Sequence, residues 1–141
     1  MTVWDTQAIL VYLARKYDSG GTWFLTDPVG RAHVTLWLFF SAKEMWDGPA
    51  TARAIPKFNR PGDLVAAQDL ARAAIQIVED RLDGLYWLVG DGATIADIAV
   101  CPYVGLIREG QVELTSCLNV IACMRRIEVL PNYVGMDGLA H

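Results

Sequence analysis

The sequence predicts an all-α protein, a bundle of helices without strands. Three observations carry this prediction. Apolar residues recur at intervals of three and four along most of the 141-residue chain. Helix-capping residues stand before these segments, and glycines or prolines follow them. No segment shows a convincing alternation of apolar and polar residues, which a half-buried strand would need.

The first predicted helix is TQAILVYLARKY, residues 6–17. Thr6 is its candidate N-cap. Its apolar residues share one face at helical spacing: they are Ile9, Leu10, Leu13 and Tyr17. The segment DSGG, residues 18–21, then ends the helix, because glycine accepts left-handed backbone and opposes helix. We expect a glycine hinge at this point.

The second predicted helix begins at Asp27, a candidate N-cap, with Pro28 in the first turn, where its missing N–H has no cost. It runs to about Arg53, and segment 56–62, which holds two prolines and a glycine, breaks it. Its core positions are Val34, Trp37, Leu38 and Ser41. The consecutive residues WLFF cannot all face one core, so some of these rings are expected at the surface or against a partner.

The cleanest amphipathic segment is residues 63–84. Its apolar stripe consists of Leu64, Ala67, Ala71, Ala74, Val78 and Leu82. The small alanines in this stripe should let another helix approach closely, and Gly84 supplies the stop. A last helix is expected at about residues 115–130, ending before Pro131.

Between these helices lies the nearly apolar segment DGATIADIAVCPYV, residues 91–104, with one carboxylate, Asp97. Thr94 precedes the helical run by the spacing of a capping box, in which the Thr94 hydroxyl and the Asp97 carboxylate each accept from the other's backbone N–H. A catalytic aspartate would need a base, a nucleophile or a metal ligand, and none is close in the sequence. Structural capping is therefore the favoured interpretation, and catalysis is the alternative.

Composition argues against several classes of function. A net charge of −4 and a pI near 5.0 disfavour nucleic-acid binding, which needs clustered Lys and Arg. No stretch approaches the roughly 18 uninterrupted apolar residues of a membrane span. The start, MTVWDTQ, lacks the basic and apolar regions of a signal peptide. We expect neither nucleic acid nor membrane as a partner, and a cytoplasmic location.

The three cysteines form no C-x-x-C pair, and the chain has two histidines, so no metal site is expected. Cys101 falls in the predicted core helix and should behave as a small buried apolar residue. Cys117 and Cys123 lie near Arg125 and Arg126 along the chain. This proximity leaves open a lowered thiol pKa on the last helix.

Four segments together resemble the glutathione S-transferase family. Residues 87–104, WLVGDGATIADIAVCPYV, are similar to the buried helix of that family's C-terminal domain. Residues 125–131, RRIEVLP, resemble its terminal helix, and residues 37–53, WLFFSAKEMWDGPATAR, its first helix. Residues 3–17, VWDTQAILVYLARKY, resemble the last helix of the preceding thioredoxin-like domain. The matches run in the family's order to about residue 136.

The resemblance implies a domain organisation. Residues 1–17 correspond to the last helix of a thioredoxin-like domain, 18–26 to a linker, 27–136 to the C-terminal helical domain and 137–141 to a tail. In the family, the catalytic Tyr, Ser or Cys and a cis-proline belong to the thioredoxin-like half, upstream of the matched segments. We therefore expect a truncated protein that has no catalytic residues of its own.

The resemblance also implies binding residues. An acidic residue and a hydroxyl at the start of the last thioredoxin-like helix hold the γ-glutamyl end of glutathione, and Asp5 and Thr6 match this pair. Their alternative role is helix capping alone. The first helix of the C-terminal domain lines part of a pocket for a hydrophobic second substrate. Its candidates here are Trp37, Phe40, Ser41 and Glu44. For Trp37 and Phe40, the alternative is a packed aromatic core.

These expectations describe a protein related to glutathione conjugation of electrophiles, in which the helical domain holds the hydrophobic substrate. Glutathione would be a co-substrate if the thioredoxin-like half is supplied, and no cofactor is expected. The expected partners are a second copy, a thioredoxin-like chain or a small hydrophobic ligand. An alternative function is an interaction module, like the transferase-type domains of translation factors and aminoacyl-tRNA synthetases. A third is a ligand-holding protein that keeps only the apolar pocket.

Overall fold

The computed structural model describes residues 2–138, and these residues form helices and no strand. The elements in chain order are α1 (Thr6–Tyr17), α2 (Pro28–Met45), a π turn (Trp46–Ala50), α3 (Thr51–Phe58), α4 (Leu64–Arg81), α5 (Ile95–Gly105), a 3₁₀ turn (Ile107–Gly110) and α6 (Leu118–Glu128). The all-α prediction is confirmed. Most of the predicted tail, residues 139–141, lies outside the described residues. None of the helices described is long and apolar enough to cross a bilayer.

Aspartate side chains start two of the long helices, and the sequence predicts the first of these caps, Asp27. The carboxylate of Asp27 accepts from the Gly30 N–H of α2 at 2.7 Å. The carboxylate of Asp63 accepts from the Ala66 N–H of α4 at 3.0 Å. Each bond satisfies a backbone donor that the first helical turn leaves without a partner.

The N-cap of α1 is Asp5, and the prediction of Thr6 is wrong by one residue. Asp5 accepts from the backbone N–H groups of Gln7 at 3.0 Å and Ala8 at 3.1 Å, while Thr6 is already the first helical residue. A carboxylate at this position also carries a negative charge, which the helix N-terminus favours over a neutral hydroxyl.

From Pro28 to Phe58 the chain forms one continuous helical rod, made of α2, the π turn and α3. The sequence predicts a break beginning at Pro56, but Pro56 lies inside the last turn of α3. A proline removes the one helical bond that its own N–H would have donated, and only two helical residues follow Pro56. The chain leaves the helix at Asn59, whose φ of 51° is left-handed.

Close packing of α4 against the π turn confirms the expected role of the alanine stripe. Ala67, Ala71 and Ala74 are buried, and Gly48 of the π turn lies directly on the α4 backbone. A Cβ atom at Gly48 would stand 2.6 Å from the Ala71 nitrogen. Small residues on both elements are therefore what permits the contact.

Helix α5 is the centre of the bundle. Eight of its eleven residues are buried. The segment 18–26, between α1 and α2, is predicted to be a linker and is hydrogen-bonded to α5, because the Ile95 N–H donates to the Trp23 carbonyl at 2.9 Å. Within the segment, the Trp23 N–H donates to the Asp18 carboxylate at 2.6 Å. Gly21, with a φ of 67°, makes the turn between them.

Helix α6 is shorter than predicted and is capped from another helix. It begins at Leu118, and its N-cap residue, Cys117, forms no side-chain capping bond. The Glu79 carboxylate of α4 accepts instead from the N–H groups of Asn119 at 3.0 Å and Val120 at 2.8 Å. Because this cap comes from tertiary packing, local sequence signals around residue 115 placed the start of the helix too early.

Candidate functional site

The structure contains the capping box at the start of α5. Asp97 is 1% exposed, and its carboxylate accepts from the Thr94 N–H at 2.8 Å and the Thr94 hydroxyl at 3.1 Å. Its second oxygen accepts from the Leu88 N–H at 2.9 Å. The aspartate thus holds both the helix start and the loop before it.

Burial raises the pKa of Asp97, and the hydrogen bonds from Leu88 and Thr94 oppose that shift. Both carboxylate oxygens are taken up by protein donors. Within residues 2–138, no cluster of three or more His, Cys, Asp or Glu side chains could hold a metal ion. The surroundings of Asp97 therefore match the structural interpretation.

A cleft of about 550 Å³ opens between the rod and α5, and we call it the α3–α5 cleft. Its lining residues are Trp46, Pro49, Ala50, Thr51, Arg53, Ala54, Ile55, Phe58, Arg60, Pro61, Pro102, Tyr103, Leu106 and Met136. Three aromatic rings, those of Trp46, Phe58 and Tyr103, form its walls. Clefts of this size and apolar character are typical sites for small organic ligands.

An ion-pair cluster supports one side of this cleft. Glu109, in the 3₁₀ turn, pairs with Arg53 and with Lys57, both on α3. The bond from Lys57 and then that from Arg53 hold the pKa of Glu109 below its usual value. The guanidinium of Arg53 also lies 5.2 Å from the centre of the Phe58 ring, a distance at which cation and ring attract.

The residues matched to glutathione binding lie at the exposed N-terminus of α1. The Asp5 carboxylate caps the helix, and the Thr6 side chain is exposed. Burial raises the pKa of the Tyr103 hydroxyl, and the negative charge of Asp5 adds to the shift. Asp5 is therefore within electrostatic reach of a residue that lines the α3–α5 cleft. Asp5 also borders a second groove of about 610 Å³ between α1 and α2.

The four residues matched to the substrate pocket have different environments, and none of them lines the α3–α5 cleft. Trp37 is buried and packs edge-to-face on half-buried Phe40, with ring centres 5.0 Å apart. Ser41 is fully buried and donates to the Ala99 carbonyl at 2.8 Å, whereas Glu44 is exposed. Of the WLFF rings, that of Phe39 is 72% exposed.

Sequence reasoning missed all three aromatic residues of the cleft, Trp46, Phe58 and Tyr103. Trp46 lies on the same rod as Trp37, nine residues further on, and directly precedes the sequence DGPA of the π turn. Tyr103 directly follows Pro102 inside α5. For Trp46 and Tyr103, the available signal was an aromatic residue within three positions of a helix-distorting proline, since a distorted turn redirects the side chains around it.

The three cysteines are free and buried. Burial raises the pKa of the Cys101 thiol to about 12 and that of the Cys123 thiol to about 11. Arg126 opposes the shift at Cys123, but desolvation is larger. The alternative of a lowered pKa at Cys123 is therefore wrong, because a buried thiolate loses more hydration than one arginine returns.

Comparison with known proteins shows which proteins this chain is similar to. No family model matches the chain. Glutathione S-transferase D6 of Drosophila melanogaster is 27% identical over 119 residues, which are 84% of this chain and 55% of that protein. Elongation factor 1-gamma of Trypanosoma cruzi is 32% identical over 98 residues, which are 70% of this chain and 24% of that protein.

Solved structures of glutathione S-transferases are also similar to this chain. A glutathione S-transferase from Xanthobacter autotrophicus Py2 superimposes with a TM-score of 0.85 at 28% identity, over 96% of this chain and 66% of that one. One from Pseudomonas fluorescens Pf-5 gives a TM-score of 0.86 at 28% identity, over 94% and 67%. The chain therefore has the fold of the C-terminal helical domain of glutathione S-transferases and is similar to these proteins in sequence. It spans about half the length of the Drosophila protein and about a quarter of the elongation factor.

Proposed function

We propose that this domain holds the hydrophobic substrate in a glutathione transferase-type protein of the cytoplasm. The observation that carries the proposal is the α3–α5 cleft, with the rings of Trp46, Phe58 and Tyr103 as its walls. An apolar, aromatic cleft gains free energy by removing the surface of an organic electrophile from water. The negative charge of Asp5 adds to the raised pKa of Tyr103 in this cleft, and this electrostatic link supports a glutathione site on the side of the cleft that faces α1.

Conjugation requires a second unit in this proposal. The sulfur of glutathione forms a bond to an electrophilic carbon, the leaving group departs with its electron pair, and the thiol proton goes to solvent. The step needs a donor that stabilises the thiolate before attack. The thiols of Cys101 and Cys123 are buried with raised pKa values, so neither can act in place of that donor.

Helix α1 is the proposed docking surface for a thioredoxin-like unit that supplies the donor. Leu13 and Tyr17, at helical spacing on α1, are 44% and 70% exposed. Trp4, just before the helix, is 86% exposed. Apolar residues gathered on one side of a helix usually meet another surface. Asp5 and Thr6, at the N-terminus of the same helix, would then receive the charged end of glutathione.

An assay with glutathione and chlorodinitrobenzene tests this function. We expect the 141-residue chain to bind the electrophile, seen as quenching of tryptophan emission, without raising the conjugation rate above the uncatalysed one. Joining the thioredoxin-like domain of the Xanthobacter transferase to the N-terminus should produce turnover. Turnover by the 141-residue chain alone would contradict the proposal that a second unit supplies the donor. Absence of quenching would contradict the proposal that the chain binds the electrophile.

The match to elongation factor 1-gamma favours a second candidate, an assembly module. Phe39 projects from α2 beside the groove between α1 and α2, as an anchor for a partner would. Size-exclusion chromatography with light scattering separates the two candidates. Because the exposed side of α1 can itself cause association, the measurement is made on the variant with Leu13→Lys and Tyr17→Lys. Association that persists in this variant supports an assembly module, whereas a monomeric variant that still binds the electrophile supports the substrate-holding domain.

A further inference from the structure

A small cavity lies in the core where α4, α5 and α6 meet. Its volume is about 20 Å³, which is enough for one particle the size of a water molecule. Three sulfur-bearing side chains line it, Cys101 from α5 and Cys123 and Met124 from α6, and we call it the sulfur cavity. The other lining residues are apolar, with the exception of Asp97. The cavity therefore brings soft ligand atoms together in a place with little other polar surface.

The two thiols of the sulfur cavity come from different helices and are both free and buried. Burial raises the pKa of the Cys101 thiol, and the charge of a Cys123 thiolate adds to the shift. The two sulfur atoms are therefore within electrostatic reach of each other. One ion in a cavity of this size would lie beside both side chains.

The available ligands restrict the kind of ion. Both oxygens of Asp97 already accept from Leu88 and Thr94. Within residues 2–138, no three His, Cys, Asp or Glu side chains lie together as metal ligands, so a four-ligand ion such as Zn²⁺ does not match this cavity. Soft monovalent ions of the Cu(I) type prefer thiolate and thioether sulfur, and two sulfurs are sufficient for them.

The charges around the thiols also match a monovalent ion. Such an ion with two thiolates has a net charge of −1, which is costly in an apolar core unless it is offset. Arg126 opposes the effect of burial on the Cys123 thiol through its charge and a hydrogen bond. The negative groups that act on the pair are Asp97 and Glu128. Asp97 is already compensated by its own donors, so Arg126 is available to offset the complex.

Met124 connects the sulfur cavity with the surface. It is half-buried, and it also lines a groove of about 250 Å³ beside α5 and α6. Its thioether is a soft ligand that needs no deprotonation. An ion that reaches the groove would meet this sulfur before the two thiols, so Met124 gives the cavity an entry side.

We propose that the sulfur cavity binds one soft monovalent metal ion of the Cu(I) type between the thiolates of Cys101 and Cys123, with Met124 at its entrance. On binding, two metal–sulfur bonds form, two S–H bonds break, and both protons go to solvent, without any change of oxidation state. This site is separate from the proposed function, because no residue that lines the sulfur cavity also lines the α3–α5 cleft.

Silver binding to the 141-residue chain tests the assignment, since Ag(I) shares the preference of Cu(I) for sulfur without its redox chemistry. The reduced chain is equilibrated with Ag(I) and an excess of glutathione, and elemental mass spectrometry after gel filtration measures the silver that stays with the protein. We expect the parent to keep one ion per chain, because two positioned sulfurs compete better than separate thiols.

The three cysteines supply matched variants. Cys101→Ala and Cys123→Ala should each weaken silver binding at least about a hundredfold, the effect of losing one of two linked ligands. Cys117→Ala is the control, because this thiol is also buried but does not line the sulfur cavity. It should leave binding within about twofold of the parent. Matching thermal midpoints show that the variants fold.

X-ray absorption at the silver edge counts the ligands in the parent and needs no variant. Two thiolate sulfurs per silver ion support the site. A single sulfur, a parent that loses its silver to glutathione, or parent-like binding in either Cys101→Ala or Cys123→Ala would overturn it. Quenching of tryptophan emission by chlorodinitrobenzene reports on the α3–α5 cleft alone, so failure of the metal site leaves the substrate-holding function standing.

Discussion

Asp97 shows how a single buried charge can have a structural role, accepting hydrogen bonds from backbone N–H groups, instead of a catalytic one. Its carboxylate satisfies the Thr94 N–H, the Thr94 hydroxyl and the Leu88 N–H. Without these acceptors the donors would be buried and unpaired, which is more costly than burying the charged group together with its partners. The position of Leu88, in the loop before α5, extends the role beyond that of a local cap.

Substitution of Asp97 should therefore be more destabilising than loss of an exposed cap. We expect Asp97→Ala to lower the free energy of unfolding by about 3 kcal/mol, because two or three buried donors lose their acceptor. Asp63→Ala, the matched control at an exposed N-cap, should lower it by about 1 kcal/mol. Urea unfolding followed by circular dichroism measures both, and equal losses would contradict the assignment. Binding of chlorodinitrobenzene at the α3–α5 cleft should be largely kept in folded Asp97→Ala.

The thiols give a residue-scale prediction with a defined pH dependence. Folded pKa values of about 12 for Cys101 and about 11 for Cys123 lie above that of an unfolded cysteine, about 8.5. Because the folded pKa values are raised, the two neutral thiols contribute to the free energy of unfolding. This contribution is complete below the unfolded pKa and is lost as pH rises through 11 to 12.

Iodoacetamide labelling at about pH 8 tests this, since only the thiolate reacts. In the native protein, Cys101 and Cys123 should react at least about a hundredfold more slowly than in concentrated guanidinium. Mass spectrometry of the digested protein identifies the labelled sites. Native labelling of either thiol at the unfolded rate would show that its environment is not the buried one described.

At the scale of elements, two contacts between segments distant in sequence are decisive. One sets where α6 begins, and the other sets how closely the π turn packs on α4. Glu79 of α4 caps α6 through the Asn119 and Val120 N–H groups. Gly48 lets the π turn contact the α4 backbone at Ala71. Both contacts join segments distant in sequence, so each of these residues is explained by its partner element and not by its own helix.

Replacement of Gly48 separates intrinsic helix preference from packing. Alanine favours helix over glycine, yet Gly48→Ala should destabilise the protein by about 1–3 kcal/mol, because its Cβ would overlap backbone atoms of Ala71 that cannot move aside. A Cβ atom at Gly92, in the loop before α5, would meet no other atom within 4 Å. Gly92→Ala should therefore stay within about 0.5 kcal/mol of the parent. Thermal unfolding of both variants measures these changes in stability. A Gly48→Ala variant that is more stable than the parent would contradict the close contact.

At the scale of the whole molecule, the α3–α5 cleft and the apolar side of α1 are two separate surfaces. The cleft is lined mainly by the rod and α5. The apolar side of α1 carries Leu13 and Tyr17, both exposed. A large apolar area left in contact with water favours association. The two surfaces therefore predict separate behaviours, ligand binding for the first and partner binding for the second.

The 141-residue chain should self-associate in a concentration-dependent way through α1 when no other unit covers it. We expect Leu13→Lys combined with Tyr17→Lys to keep the protein monomeric, because burying two ammonium groups in an interface is unfavourable. Leu36→Lys, at a residue of α2 that is 55% exposed, is the control and should associate like the parent. Light scattering over a dilution series gives the result, and a parent that is monomeric throughout would contradict it.

Much of the fold could be read from local signals. The bounds of α1 and the Asp27 cap of α2 follow from short-range chemistry, in which a carboxylate accepts from nearby N–H groups. The alanine stripe of α4 also follows from spacing alone. The cleft could not be found this way. Trp46 and Tyr103 come together only because the rod and α5 pack side by side, and spacing along one helix carries no information about a neighbour's position.

The sequence by itself determined the helical class, most helix starts and the pairing of Thr94 with Asp97, because each depends on residues within a few positions of one another. Only the tertiary structure decided that Glu79 caps α6, that Asp97 also holds Leu88, and that two arginines face an aromatic cleft. Those contacts depend on how the helices cross in space, and side-chain packing throughout the bundle sets that geometry.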